Sequence, residues 1–327
     1  MPPRQRDPLA GPGDLCVSDL RQAPHIIEDP STDADLQTVY RWLTSKPIDR
    51  LLTVAVDDAV QYVLDGGRTW RFDLNSPEVD SDERASVGTK LQYRILSTLE
   101  LVKEPPLDTR IAGIAVELKG TVRDTWMIPR EGQCEICLLV QVDTRNDRHR
   151  AFLLRTHRMW LNAPNQDKKR SVKAGARDTY ALPVIGWTPL PTNPLKLLTP
   201  VQCDTVFQLK VGLVKRLTAL FGFLPDTVIP RTAILTVGAN IKDPLRRARQ
   251  AKEPVLAQHG LRVLCGTWSE QSDEAAQRGF DLSDEAWIAL TPQSGHGGQN
   301  LLGNSSRETA GDGVPDLLSD LGFGTDP

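Results

Sequence analysis

Apolar residues recur at helical spacing in the N-terminal third of the chain. Val87, Leu91, Ile95 and Leu99 follow one another at every fourth position, which places them on one face of an amphipathic helix. The whole pattern of this region predicts helices over three segments: 34–45, 47–64 and 84–101.

Strand-like apolar runs follow these helices. Their connections contain Pro, Gly, Asn and Asp, which favour turns. The runs cover residues 110–118, 134–143 and 150–157. Helices followed by a strand meander predict an α/β or α+β core.

A proline-rich stretch separates this core from a second predicted unit. Five prolines lie between residues 183 and 200, and we place a domain linker at 181–203. Short helices with strands at the end then suit a winged-helix or helix-turn-helix DNA-binding module, although the pattern has low specificity. The elements predicted are a helix over 204–221, a strand over 231–238, a basic helix over 243–252, and a further helix and strand over 255–268.

Polar composition at both ends predicts segments outside these two domains. Residues 1–33 are rich in Pro, Asp and Gly, which predicts a flexible N-terminal arm. Residues 291–327 are rich in Gly, Ser, Asn and Asp, which predicts a disordered acidic tail. The folded domains are therefore expected at 34–180 and 204–290.

Charge is distributed unevenly along a chain of 327 residues whose formal net charge is −3. Residues 204–262 hold ten Lys or Arg against four Asp or Glu, a net charge of +6, whereas residues 269–327 hold two against eleven, a net charge of −9. No apolar run is long enough to cross a bilayer, and the N-terminus lacks the apolar core of a signal peptide. We therefore expect a cytoplasmic protein with no membrane partner.

Five cysteines are scattered along the chain, an odd number that argues against a disulfide framework. Cys134 and Cys137 form an isolated C-x-x-C within a strand-like run. A zinc site needs about four ligands, and neither a second cysteine pair nor a nearby His-x-His completes one here. The pattern favours buried structural thiols over a metal site.

Two carboxylates and an ammonium lie around the first strand-like run. Asp108 precedes it, and Glu117 and Lys119 share one face of it because side chains alternate across a strand. Carboxylates at this spacing, with the backbone carbonyl of Leu118, can hold Mg²⁺ for phosphodiester hydrolysis, and Lys119 can orient the attacking water. The same loose pattern also occurs by chance, and a Glu-x-Lys pair is commonly solvated surface charge.

The segment P-L-D-(x8)-E-L-K has the form of the PD-(D/E)xK nuclease signature, and its surroundings resemble the NaeI family of type II restriction endonucleases. The resemblance covers roughly residues 55–290. It rests on an ordered set of segments: "DGGRTWRF" at 65–72, "VGTKL" at 87–91, "RIAGIAVELK" at 110–119, "WMIP" at 126–129, "CEICLLV" at 134–140, "LNAPNQDKKR" at 161–170 and "VIPRTAILTVGA" at 228–239.

This resemblance implies an α/β restriction-endonuclease-like core, a mixed sheet flanked by helices, followed by a helix-turn-helix domain similar to that of catabolite activator protein. It further implies a homodimer that cuts double-stranded DNA with Mg²⁺ and is stimulated by a second DNA site on the C-terminal domain. Asp108, Glu117 and Lys119 fall on the family's catalytic positions. The family has a Glu four residues after a Gly on the preceding helix, whereas this chain has Gln92, which we keep as a site residue.

Basic residues in both domains are candidates for DNA contact. Phosphate contacts set affinity, and arginine is well suited to reading guanine edges. A solvated basic surface is the alternative for each segment. The candidates are Lys168, Lys169, Arg170, Lys173, Arg231, Lys242, Arg246, Arg247 and Arg249, with Lys210, Lys215 and Arg216 adding positive charge.

The leading hypothesis is a Mg²⁺-dependent type II restriction endonuclease that makes sequence-specific double-strand breaks. A cognate DNA methyltransferase would then belong to the same system without being a bound partner. The alternatives are a catalytically impaired or inactive nuclease-like DNA-binding protein, motivated by Gln92, and a nicking or repair endonuclease.

Overall fold

A mixed five-stranded sheet organises the computed structural model, which describes residues 9–20 and 23–292. The strands are β1 (Leu15–Cys16), β2 (His25–Ile26), β3 (Thr109–Ile111), β4 (Ile114–Thr121), β5 (Met127–Ile128), β6 (Ile136–Asp143), β7 (Arg148–Arg155), β8 (Leu161–Pro164), β9 (Arg170–Val172), β10 (Leu182–Pro189), β11 (Arg262–Cys265) and β12 (Trp287–Leu290). The helices are α1 (Ala34–Thr44), α2 (Ile48–Leu64), α3 (Gly66–Thr69), α4 (Ser81–Thr98), α5 (Ala174–Tyr180), α6 (Pro200–Val206), α7 (Leu213–Phe223), α8 (Arg231–Val237), α9 (Pro244–Gln250), α10 (Lys252–His259) and α11 (Ser269–Gln277).

The strand order in the central sheet is β10-β7-β6-β4-β3. β4 and β6 are parallel and the other neighbours are antiparallel. Helices α2 and α4 cover one face, where Leu52, Leu91 and Ile95 pack with Val116 and Leu118 in a continuous apolar core. The mixed sheet with flanking helices fits the restriction-endonuclease-like core that the sequence predicts.

The opposite face of the sheet is covered by small strands and by the N-terminal segment. Strands β5, β9 and β8 form a three-stranded sheet, and Trp126, Trp160 and Cys137 lie in a second apolar cluster there. Cys16 and Ile27 belong to the same cluster and are about 1% exposed. The composition of residues 1–33 predicts a flexible arm. In the described parts of this segment, residues 9–20 and 23–33, some side chains instead pack on the sheet domain.

Part of the predicted linker forms the edge strand β10. The proline content predicts that residues 181–203 connect two domains, but Leu182–Pro189 pairs with β7. Proline is tolerated at a sheet edge because no second neighbour requires its missing N–H, and register shifts accompany this pairing. The connecting segment is therefore shorter than its proline content suggests.

A separate apolar core holds residues from 195 to 289 together. The helix predicted over 204–221 is two helices, α6 and α7, and the strand predicted over 231–238 is helix α8. β11 and β12 pair as an antiparallel two-stranded sheet beside these helices. The β-branched residues of "RTAILTV" favour a strand locally, but Ala233, Ile234 and Val237 lie together against this core, and packing decides the conformation.

The acidic tail predicted at 291–327 lies, apart from its first two residues, outside the described residues. Within residues 9–20 and 23–292, none of the helices has the length and apolar character that crossing a bilayer requires.

Candidate active site

Asp108 immediately precedes β3 and lies directly beside the centre of β4. The antiparallel register pairs Thr109 with Val116, which brings the preceding residue next to Glu117 and Leu118. The carboxylate Oδ2 of Asp108 accepts a hydrogen bond of 2.9 Å from the Leu118 backbone N–H. This bond fixes the direction of the Asp108 carboxylate against the strand.

Glu117 and Lys119 form an ion pair on the same face of β4. Lys119 Nζ lies 2.6 Å from Glu117 Oε1, and the two side chains are 18% and 5% exposed. Burial raises the pKa of the Glu117 carboxyl, and the Asp108 and Glu131 carboxylates act in the same direction, while Lys119 opposes them. A buried carboxylate beside a second carboxylate is an environment that additional positive charge would stabilise.

Helix α4 approaches β4 through two glycines. A Cβ atom on Gly88 would lie 2.5 Å from the carbonyl oxygen of Gly120, and a Cβ on Gly120 would lie 2.8 Å from that of Gly88. This backbone contact places Gln92, one turn further along α4, against the strand. Its Nε2 donates a hydrogen bond of 2.5 Å to the carbonyl oxygen of Leu118.

The four predicted site residues are therefore brought together around the backbone of one residue of β4, Leu118. Asp108 contacts the N–H of Leu118, Gln92 contacts its carbonyl, and Glu117 and Lys119 flank it in sequence. Carboxylate and carbonyl oxygens are the hard donors that Mg²⁺ prefers, so Asp108, Glu117 and the Leu118 carbonyl suit this ion. The Gln92 amide competes for the same carbonyl by donating to it.

Sequence patterns missed the part that glycine plays in this geometry. Gly120 sits inside a strand and Gly88 inside a helix, where glycine costs stability. An interior glycine indicates close backbone approach, so the two glycines in the sequence could have indicated this contact. Glu131, which acts on the Glu117 carboxyl, carries no such signal in the sequence.

The basic residues between 168 and 173 differ in exposure, and some of them bind other groups of the protein. Lys168 and Lys169 are exposed in the connection between β8 and β9. Arg170 is 7% exposed and pairs with Asp19 at 3.1 Å, so its guanidinium is held inside the protein, unlike the phosphate contact predicted for it. Lys173 Nζ donates to the Met159 carbonyl at 2.8 Å.

The basic residues of the C-terminal region also differ in availability. Arg231 pairs with Glu285 at 2.7 Å on the surface. Arg216 is 1% exposed and donates to the carbonyls of Val206 and Val237, which corrects its predicted contribution to surface charge. The exposed basic residues around α9 are Lys242, Arg246, Arg247 and Arg249.

Comparisons with known proteins show which family the chain resembles. The family model described as "Restriction endonuclease NaeI" matches residues 37–284, a range that includes all four site residues. A curated relative from Lentzea aerocolonigenes, named "Type II restriction enzyme NaeI", is 28% identical over 149 residues. That alignment covers 44% of this chain and 46% of the relative, so the chain spans about half the relative's length.

Proposed function

The chain belongs to the NaeI restriction endonuclease family, and from this premise we propose that it is a type II restriction endonuclease that makes sequence-specific double-strand breaks by hydrolysing phosphodiester bonds. The observation that carries the proposal is the set of Asp108, Gln92, Glu117 and Lys119 around the backbone of Leu118. Double-stranded DNA is the proposed substrate.

Mg²⁺ is the proposed cofactor, held by Asp108, Glu117 and the Leu118 carbonyl. When bound, it supplies positive charge that polarises the phosphate and favours deprotonation of a water molecule. Asp108 is already oriented by the Leu118 N–H, which limits the reorganisation needed for binding. Glu117 offers a carboxylate whose burial makes a nearby cation favourable.

Lys119 is proposed to orient the attacking water and to stabilise the negative charge that develops on the phosphate. Its ammonium is held at 2.6 Å by Glu117. Because its side chain is 18% exposed, it lies near the surface that DNA would approach. Its position is set by the strand and not by a loop, which favours a fixed geometry.

DNA contacts are proposed for the exposed basic residues of both regions. Lys168, Lys169 and partly buried Lys173 would meet phosphates near the sheet domain, and those around α9 would contact the second DNA copy that stimulates cleavage. For this second role we propose a winged-helix or helix-turn-helix domain over residues 204–290, and a homodimer as the assembly that cuts both strands. The basic candidates in that domain are Arg231, Lys242, Arg246, Arg247 and Arg249.

A second candidate function is DNA binding without cleavage. The observation that favours it is the Gln92 amide, which brings no charge and occupies the Leu118 carbonyl as a donor. A nicking or repair endonuclease would use the same site on one strand.

Digestion of a fully sequenced phage DNA in Mg²⁺, with every end mapped, distinguishes these functions. We expect paired breaks at a fixed sequence and no cutting when EDTA replaces Mg²⁺. Unpaired nicks would indicate the nicking enzyme. Tight, salt-sensitive binding with no breaks in Mg²⁺ or Mn²⁺ would contradict the endonuclease and favour the binding protein.

A further inference from the structure

Two cysteines and two histidines from distant parts of the chain meet on the covered face of the sheet. Cys16 lies in β1 and His25 in β2, while Cys134 precedes β6 and His157 follows β7. One potential ligand atom from each of the four residues lies within 4.8 Å of the other three. Cys16, Cys134 and His157 are buried, and His25 is partly buried.

Two distances inside this cluster match those of a tetrahedral metal site, the one between the two sulfur atoms and the one between the two nitrogen atoms. Zn–S bonds of about 2.3 Å and Zn–N bonds of about 2.0–2.1 Å give a sulfur–sulfur edge of about 3.8 Å and a nitrogen–nitrogen edge of about 3.3 Å. The Sγ atoms of Cys16 and Cys134 are 3.6 Å apart. Nε2 of His25 and Nδ1 of His157 are 3.2 Å apart.

Local backbone structure brings each ligand into this geometry. β1 and β2 pair so that Cys16 is directly opposite His25. The Cys134 N–H donates to the Thr156 carbonyl at 2.8 Å, which sets this cysteine beside the residue next to His157. Cys134 adopts a φ of 64°, a left-handed conformation that few non-glycine residues occupy. The Arg158 N–H lies 3.4 Å from Cys134 Sγ, a contact that would also stabilise a thiolate.

The two thiols are not joined to each other, and the neighbouring cysteine does not take part. A disulfide requires a sulfur–sulfur distance of about 2.05 Å, and none of the five cysteines, all of which lie in the described residues, forms one. Cys137 Sγ instead lies 3.3 Å from the Thr156 hydroxyl, and burial raises the pKa of its thiol to about 12. Cys137 is thus the buried structural thiol that the sequence predicts, whereas Cys134 belongs to a different cluster.

We infer that Cys16, His25, Cys134 and His157 form a structural Zn²⁺ site that ties the N-terminal segment to the ends of β6 and β7. Four protein ligands of the Cys₂His₂ type leave no open position for substrate, which is typical of structural zinc. Binding releases the two thiol protons, and the two thiolates balance the charge of the ion. The site is separate in residues and in donor chemistry from the oxygen cluster of Asp108 and Glu117.

The test measures zinc in the full-length protein expressed with zinc and then passed through a weak-chelator column. We expect about one zinc per chain by elemental mass spectrometry in the wild type. Cys16→Ser and Cys134→Ser should reduce it to below about a tenth of that value. Matched controls are Cys265→Ser, a buried thiol in the C-terminal core, and Cys137→Ser, the second cysteine of the C-x-x-C; both should keep their zinc.

A spectroscopic measurement on the wild type keeps the inference testable if a variant fails to fold. Replacing zinc with Co²⁺ should give intense visible d–d bands and a thiolate-to-cobalt charge-transfer band, and X-ray absorption should fit two sulfur and two nitrogen ligands. Wild-type protein without bound zinc and without the cobalt bands overturns the inference. Three titratable thiols in the denatured, unreduced protein, in place of five, would indicate a Cys16–Cys134 disulfide and would equally overturn it.

Discussion

The oxygen cluster on β3 and β4 and the sulfur–nitrogen cluster behind the sheet differ in donor chemistry and in access. Asp108, Gln92 and Lys119 are partly exposed, and Glu117 adds a carboxylate that Lys119 only partly compensates. The four Cys and His residues include three buried members, and they bring four potential ligand atoms within 4.8 Å of one another. An open site of hard oxygen donors suits chemistry on a phosphate, whereas a closed site of soft donors suits stapling of the chain.

The difference also concerns what each cluster holds together. The oxygen cluster joins two adjacent strands and one helix around the backbone of Leu118, so the elements of the core position it. The sulfur–nitrogen cluster joins β1 and β2 to the ends of two central strands. The oxygen cluster should therefore control cleavage, and the sulfur–nitrogen cluster should control the attachment of the N-terminal segment.

The largest expected effect separates the two clusters directly. Asp108→Asn keeps an acceptor for the Leu118 N–H but removes a negative charge, so cleavage in Mg²⁺ should fall by at least about 10²-fold. Its zinc content should not change. Asp82→Asn, an exposed acid in the first turn of α4, is the control for charge and should cut normally. Loss of both zinc and cleavage in Asp108→Asn would show that the clusters are not independent.

The contact between α4 and β4 should be the next most sensitive feature. Gly88→Ala places a methyl group 2.5 Å from the Gly120 carbonyl oxygen, so the free energy of unfolding should fall by about 3 kcal/mol. Gly175→Ala, in helix α5, meets no atom within 4 Å and should be neutral or slightly stabilising. Denaturant unfolding of both variants tests this, and equal stability would mean that the close approach is absent.

Gln92→Glu should change the free energy of unfolding by a smaller amount, and the size of this change should depend on Mg²⁺. The substitution replaces the amide that donates to the Leu118 carbonyl with a carboxylate, so without added Mg²⁺ the variant should be about 1–2 kcal/mol less stable than the wild type. Mg²⁺ should restore this stability, because a cation can lie between the carboxylate and the carbonyl. Gln92→Met is the control: it loses the same bond, and Mg²⁺ should stabilise it no more than the wild type. Equal Mg²⁺ responses in both variants would exclude Gln92 from the ion's surroundings.

The smallest effect concerns DNA approach to the oxygen cluster. Lys169 is exposed after β8, and Lys169→Ala should reduce the slope of log affinity against log salt by about 1. Arg50→Ala, at an exposed basic residue of α2 that is not among the predicted DNA contacts, is the matched control. Fluorescence anisotropy at several salt concentrations measures both slopes. Identical slopes for the wild type and Lys169→Ala would remove this residue from the interface.

The core and the oxygen cluster follow from local sequence, because their signals are short in range. Helices predicted over 34–45 and 47–64 are observed at Ala34–Thr44 and Ile48–Leu64. Asp108, Glu117 and Lys119 lie within twelve positions on adjacent strands, so alternation alone places two of them on one face. For these helices and for this strand face, the sequence pattern and the structure agree.

The remaining features depend on tertiary contacts that no local pattern contains. Arg170 and Arg216 look like surface charges in the sequence but are buried by partners distant in the chain. Cys134 suggested a pair with Cys137 three residues away, whereas the residues near its thiol are Cys16, His25 and His157. Helix α8 likewise forms where β-branched residues predicted a strand, since its environment is the C-terminal core.

Single-turnover cleavage by Lys119→Ala, with DNA binding measured in parallel in Ca²⁺, tests the central claim most directly. The Lys119 ammonium lies 2.6 Å from Glu117 and is the group proposed to act on the attacking water. We predict that cleavage falls by about 10²–10³-fold or more while DNA binding in Ca²⁺ stays close to the wild type. Cutting at the wild-type rate by this variant would contradict the assignment of the active site.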